Sequence, residues 1–296
     1  MLHRNILLAA LISTASVAQA GTWSARMAAG MSVRIYTPTS AGSFAAGRGL
    51  MIGLHGCTQQ NTALETRGNW EPAADRFGVV IALPQVPNGG VIAGCWDYYG
   101  ANHTRTTRHE GPVLDLVEAL ASDNTLGIDR AQIYVSGLSS GGGEAMVLGC
   151  IAPDIFAGVG INAGPAVGTA SSDIGRVATT KTAAEALCRR LAGANVASFD
   201  TQITSIIYGT SDFIVAPGYG PLEADVFGAI YDAPTAAPID VTALPGFMPA
   251  GEGETRSDAE GPRVQRIAVQ GMGHAFPAGS GAGNAETSYV ATKGPA

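Results

Sequence analysis

Along the chain, short continuous apolar runs alternate with stretches whose apolar positions recur at helical spacing. Residues 49–54 (GLMIGL) and 78–83 (GVVIAL) are unbroken apolar runs, the pattern of strands buried on both faces; the first stops at His55-Gly56 and the second at Pro84. Residues 202–208 (QITSIIY) and 263–269 are further strands, and 156–163 (FAGVGINA) is another. Between them, 70–77 and 182–191 read as helices, and 110–122 has apolar residues at 113, 114, 116, 117 and 120, which buries one helical face. Residues 133–149 (IYVSGLSSGGGEAMVLG) read as strand, tight turn and helix. Strands alternating with helices predict an α/β fold, a mostly parallel central sheet flanked by helices. Residues 21–48 are expected to form an antiparallel edge of that sheet. Residues 213–262, with many Pro and Gly, are expected to be excursion loops or a small lid.

The first twenty residues read differently. Arg4 precedes an apolar core at 6–12, and Ala18-Gln19-Ala20 is an A-x-A cleavage site, so 1–20 is expected to be a signal peptide and 21–296 one catalytic domain, secreted or periplasmic. The apolar run is too short for a membrane anchor, which needs roughly 20 residues. The remainder carries 16 Lys and Arg against 24 Asp and Glu, and no basic stripe argues for nucleic acid as a partner. A monomer without a membrane partner is expected. Cys57, Cys95, Cys150 and Cys188 all lie in the exported part, where an even count favours disulfides. Of three pairings, Cys57 with Cys95 and Cys150 with Cys188 is preferred, each closing a loop worth roughly 4 kcal/mol in a chain-entropy picture. No C-x-x-C or histidine pair at ligand spacing supports a metal site.

Chemistry concentrates at strand ends. Gly137-Leu138-Ser139-Ser140-Gly141 fits the nucleophile elbow of α/β-hydrolases, in which a strained turn presents the serine between a strand and a helix. Asp212 lies just past the 202–208 strand and His274 just past the 263–269 strand, which gives the order Ser, Asp, His. A serine hydroxyl needs an imidazole to take its proton, and the imidazole needs a carboxylate to fix its tautomer. Asp232 or Asp240 could replace Asp212, and His55, His103 and His109 are weaker candidates for the base. Oxyanion donors are expected from the amides of Ser140 and Cys57. The long loop 85–107 is expected to be functional. Trp96, Tyr98 and Tyr99 within it are either core packing or substrate-binding groups.

LHGCTQQ at 54–60, CWDYY at 95–99, VSGLSSGG at 135–142, YGTSD at 208–212 and GMGHAFP at 271–277 together resemble the secreted polyhydroxybutyrate depolymerase family of esterases. The resemblance implies an α/β-hydrolase fold, a triad of Ser139, Asp212 and His274, an oxyanion site at Cys57 and Ser140, and Trp96 lining the site. It implies a polyester or ester substrate and no cofactor. Feruloyl and acetylxylan esterases share these motifs, and a non-catalytic binding protein on the same fold is the alternative of another class. Members that attack crystalline polymer carry a linker and a separate polymer-binding domain, which this sequence does not show. A final helix covering the sheet is expected after His274, yet about twenty residues follow it.

Overall fold

The computed structural model describes residues 20–40, 46–244, 246–247, 250–278, 290–291 and 294–295. The expected signal peptide, apart from Ala20, and most of the chain after His274 lie outside these. The strands are β1 (Thr22–Ala28), β2 (Met31–Thr37), β3 (Arg48–Leu54), β4 (Val79–Pro84), β5 (Ile128–Leu138), β6 (Gly158–Asn162), β7 (Ile203–Gly209), β8 (Thr235–Ile239), β9 (Gly246–Phe247), β10 (Gly251–Ser257) and β11 (Pro262–Val269), followed by the two-residue pieces Phe276–Pro277, Val290–Ala291 and Gly294–Pro295. Ten of them form one sheet in the order β1-β2-β4-β3-β5-β6-β7-β11-β10-β8, with β9 outside it. The six central strands from β4 to β11 pair in parallel. The outer strands on both sides are antiparallel.

The helices are α1 (Asn61–Arg67), α2 (Glu71–Phe77), α3 (Glu110–Ala121), α4 (Ser140–Ile151), α5 (Lys181–Ala192) and α6 (Tyr219–Ile230). Residues of α3, α4, α5 and α6 close one large core against one face of the sheet. Leu64 of α1 and Ala74 of α2 join a smaller core with Tyr36, Ile81 and Leu83. Beside that smaller core, among the described residues, a groove of about 740 Å³ runs over β5, β6, β7 and β11, floored by Ser136, Gly160 and Ser205 and walled by Trp70, Leu244 and Phe276. Along that face Ser136, Gly160, Ser205 and Gln265 are interspersed with Tyr134, Ile203, Ile207 and Ile267, whereas Val135, Val159, Ile161, Ile206 and Val264 belong to the closed core.

The expectation of loops or a lid over 213–262 is corrected. Twelve residues of it form α6, and β8 and β10 within it supply an antiparallel edge of the sheet. α6 buries Tyr219, Ala224, Val226, Phe227 and Ile230 on one side, but Leu222 and Ala229 on the less buried side are apolar too, which blurs the one-sided period that marks a surface helix. β8 (TAAPI) is an exposed edge strand, the position in which a sheet tolerates Pro238. Both preferred disulfides are present: Cys57–Cys95 at the end of the sheet that carries the site, and Cys150–Cys188 between α4 and α5.

Candidate active site

Ser139 stands between β5 and α4 with φ +58° and ψ −118°, a left-handed conformation that costs a non-glycine residue about 1–3 kcal/mol and persists only where the surroundings hold it. Three contacts hold it. The Ser139 amide donates to the Asn162 carbonyl at 2.9 Å, and the Asn162 side chain donates to Ser136 Oγ and to the Gly137 carbonyl. The third is steric: a Cβ at Gly137 would lie 2.2 Å from the Gly141 carbonyl oxygen, and one at Gly141 would lie 2.4 Å from that of Leu54. The two glycines of the motif are therefore dictated by backbone meeting backbone.

Asp212 and His274 leave neighbouring parallel strands, and their loops are stitched together. Thr210 N donates to Val269 O, Ser211 N to Met272 O, and Gly271 N to Thr210 Oγ1. Gly209 permits the approach, since a Cβ there would sit 2.0 Å from the Met272 oxygen. His274 Nδ1 donates to Asp212 Oδ2 at 2.7 Å, and Asp212 Oδ1 accepts the amides of Ile214 and Val215 at 2.9 and 3.0 Å. Both side chains are buried, as is most of Ser139. Asp240, the alternative orienter, instead accepts from Thr242 N and Oγ1 in a local turn.

The loop after β3 carries Cys57. His55 Nδ1 donates to the Gly56 carbonyl at 2.8 Å, while its Nε2 accepts from Val86 N at 3.1 Å and from the Gln85 side chain at 3.0 Å. Both ring nitrogens are thereby engaged and the tautomer is fixed as neutral. Burial pushes the His55 pKa down to about 4. The carbonyl it holds belongs to the Gly56–Cys57 peptide, whose N–H is the expected oxyanion donor. Ser140 opens α4, where an amide has no acceptor within its own helix. The Cys95-Trp96 pair ties the two donors together, through the disulfide to Cys57 and a 3.3 Å hydrogen bond from Trp96 N to Ser140 Oγ.

Of the two alternatives for the aromatic cluster, burial matches packing. Trp96 is 0% and Tyr98 3% exposed, so neither forms the wall of an open cleft. Trp96 lies between His55 and His109, at 5.6 Å from each ring, and Tyr98 lies under Gly143, where a Cβ would come within 2.8 Å of its ring. His103 and His109 are buried in the same layer. His103 Nδ1 is 2.5 Å from Glu110 Oε1, and His109 Nδ1 accepts from Asp97 N at 2.8 Å. Sequence reasoning missed Asn162 as the clamp on the elbow; the available signal was a polar residue ending the apolar run of β6. It also missed Glu144 and Glu223, which are wholly buried acids on α4 and α6. Among the described residues, no cluster of three His, Cys, Asp or Glu side chains suits a metal ion.

A parallel sheet with a serine elbow after one central strand and an Asp–His pair after two others defines an α/β-hydrolase. The acetyl xylan esterase of Aspergillus awamori shares the fold, with a TM-score of 0.67 at 19% identity over 86% of this chain and 94% of that one. The chain belongs to the esterase PHB depolymerase family, whose profile it matches over residues 31–229. It is 42% identical to a poly(3-hydroxybutyrate) depolymerase of Ralstonia pickettii over 82% of its own length and 50% of the relative's. It is 28% identical to poly(3-hydroxyalkanoate) depolymerase C of Paucimonas lemoignei over 79% of its length and 56% of that protein's. The chain thus spans about half the length of these curated relatives.

Proposed function

We propose that this protein is a serine carboxylic-ester hydrolase acting on poly(3-hydroxybutyrate), or on short-chain polyhydroxyalkanoate and its oligomers, through an acyl-enzyme. The observation that carries the reading is the 2.7 Å hydrogen bond from His274 Nδ1 to Asp212, held at the same end of the sheet as a serine in elbow geometry. In this reading Ser139 Oγ attacks the ester carbonyl while His274 Nε2 takes its proton, and Asp212 holds the imidazole and steadies its cation. The carbonyl oxygen becomes an oxyanion facing the amides of Cys57 and Ser140. His274 then protonates the departing alcohol, and water activated by the same histidine releases the hydroxy acid. Every step uses groups of the chain itself.

Export fits this reading, since both disulfides need an oxidising compartment and an A-x-A site ends the apolar leader. Among the described residues no helix is long and apolar enough to cross a membrane.

Purified protein is expected to release hydroxybutyrate from the trimer and to hydrolyse p-nitrophenyl butyrate, and Ser139→Ala is expected to abolish both while the fold remains. Near wild-type rates from that variant would overturn the reading. A second reading, a carbohydrate esterase, is favoured by 26% identity to acetylxylan esterase A of Aspergillus ficuum over 50% of the chain. Faster release from acetylxylan or methyl ferulate than from the trimer would select it. Absence of fluorophosphonate labelling at Ser139 would instead favour a binding protein.

A further inference from the structure

Behind the Asp212–His274 pair, α6 carries a carboxyl that the proposed reaction does not use. Glu223 is 1% exposed, and its Oε1 has no hydrogen-bond partner. Together with Asp212 it lines a cavity of about 10 Å³, bounded also by Tyr208, Tyr219, Ala163 and Val215. That volume is about one water molecule's probe sphere, and a buried water needs two or more polar partners. Asp212 offers one. Its carboxylate has about four acceptor sites, and Ile214 N, Val215 N and His274 Nδ1 occupy three.

The charge state of Glu223 follows from its surroundings. The other titratable groups lining the cavity are Tyr208 of β7, Asp212, and Tyr219 of α6, and no Lys or Arg lines it. Arg266 of β11 is engaged by the Tyr208 hydroxyl at 3.0 Å and by Glu254. The Tyr219 hydroxyl donates away from the cavity, to the Arg176 carbonyl. Burial without a cation favours the neutral acid and pushes the carboxyl pKa well above its ordinary value.

We propose that one ordered water in this cavity joins Glu223, as a protonated carboxylic acid, to the fourth acceptor site of Asp212, making Glu223 a positioning residue for the Asp212–His274 pair. The Glu223 O–H donates to the water and the water donates to Asp212. This completes the carboxylate's shell and fixes its plane toward His274, while the neutral acid keeps a second negative charge away from the imidazole. The inference rests on the proposed triad, and its test separates the two.

Three readings decide it: the rate of fluorophosphonate labelling at Ser139, the pH profile of kcat/KM on p-nitrophenyl butyrate, and a high-resolution crystal structure. Glu223→Gln keeps a donor toward the water, so labelling is expected within about threefold of wild type and the acid limb should stay in place. Glu223→Leu removes the donor. Its kcat is expected to fall at least about tenfold with KM unchanged, the order expected when an orienting contact is loosened. Its melting temperature should change little, because an apolar side chain of similar size replaces a neutral acid held through a single water. The crystal structure should show one water within hydrogen-bond reach of Glu223 and Asp212. Wild-type labelling by Glu223→Leu, an acid limb that moves down in Glu223→Gln because a charge was lost, or an empty cavity would each overturn the inference. Failure of the wild-type protein to label at Ser139 would overturn the proposed function instead, and the crystallographic water would still decide the role of Glu223.

Discussion

The loops after β3 and β11 each carry a buried histidine past the carboxyl end of a parallel strand, and the two histidines have opposite partners. His274 meets a carboxylate, which fixes its tautomer and can stabilise its cation. His55 meets only neutral groups: a backbone carbonyl, a backbone amide and the Gln85 side chain. An imidazole so bound has no lone pair left for a proton, and nothing in reach balances a charge. One loop therefore suits proton transfer, and the other uses the same ring as a fixed bracket for the Gly56–Cys57 peptide. Residue type and strand-end placement are common to both, so what separates base from bracket is whether an acid lies within hydrogen-bond distance.

The largest effect should separate them outright. His274→Ala is expected to lower kcat by about ten-thousandfold with KM nearly unchanged, as loss of a triad member does. Steady-state kinetics on p-nitrophenyl butyrate measure this, and a loss of similar size from His55→Ala would break the distinction.

His55→Ala should act through structure. It leaves the Val86 amide and Gly56 carbonyl without their partner, at about 1–3 kcal/mol for each buried group left unsatisfied. Urea unfolding should show that loss. With the Cys57 amide less well aimed, kcat should fall by about a hundredfold, the scale of removing one oxyanion donor. His55→Gln can remake one of the two bonds and should recover part of both losses.

The pH dependence sharpens the contrast at smaller cost. The His55 pKa of about 4 in the folded protein lies below the ordinary histidine value of 6.5. Between these values the unfolded chain binds a proton that the folded protein refuses. The stabilisation is therefore full above about pH 6.5 and is lost progressively as pH falls toward 4, by up to about 1.4 kcal/mol per pH unit. Urea midpoints measured at pH 7 and pH 5 should differ by less in His55→Gln than in wild type.

How much of this was legible in the sequence depends on which interactions fix each part. Ser139, Asp212 and His274 were legible because backbone signals mark them: glycines where chains touch, and apolar runs that end one turn before the polar residue. β3 and β4 were legible as continuous apolar runs because both their faces are covered. The edge strand β8 and its neighbour β10 were not, since a strand left largely uncovered, such as GEGETRS, needs no alternation. Glu223 was hidden for a related reason. In YGPLEADVFGAI an acid among apolar residues reads as the solvent face of a helix, and only the packing of α6 against β7 and β11 shows that Glu223 is buried while Pro221, Leu222, Asp225 and Ala229 lie on the less buried side. The partners of His55 were equally hidden, because Gln85 and Val86 follow a different strand.

The smallest expected effect concerns Trp96, which touches the bracket side of the comparison. Its ring packs on His55 and His109, while its indole Nε1 is buried without a partner. Trp96→Phe would remove that orphan donor, whose burial costs about 1–3 kcal/mol, and would also remove apolar volume from a close-packed layer, which costs a similar amount. The two changes offset, so the unfolding free energy should move by no more than about 1 kcal/mol. If the ring is packing, as its burial indicates, KM for hydroxybutyrate trimer should stay within about twofold, because binding energy changes only where a side chain touches substrate. A KM rise of tenfold with stability unchanged would return Trp96 to the substrate site and would mean that the loop of residues 95–99 opens during binding. The same variant leaves the Trp96 amide on Ser140 Oγ, so kcat should not fall with it.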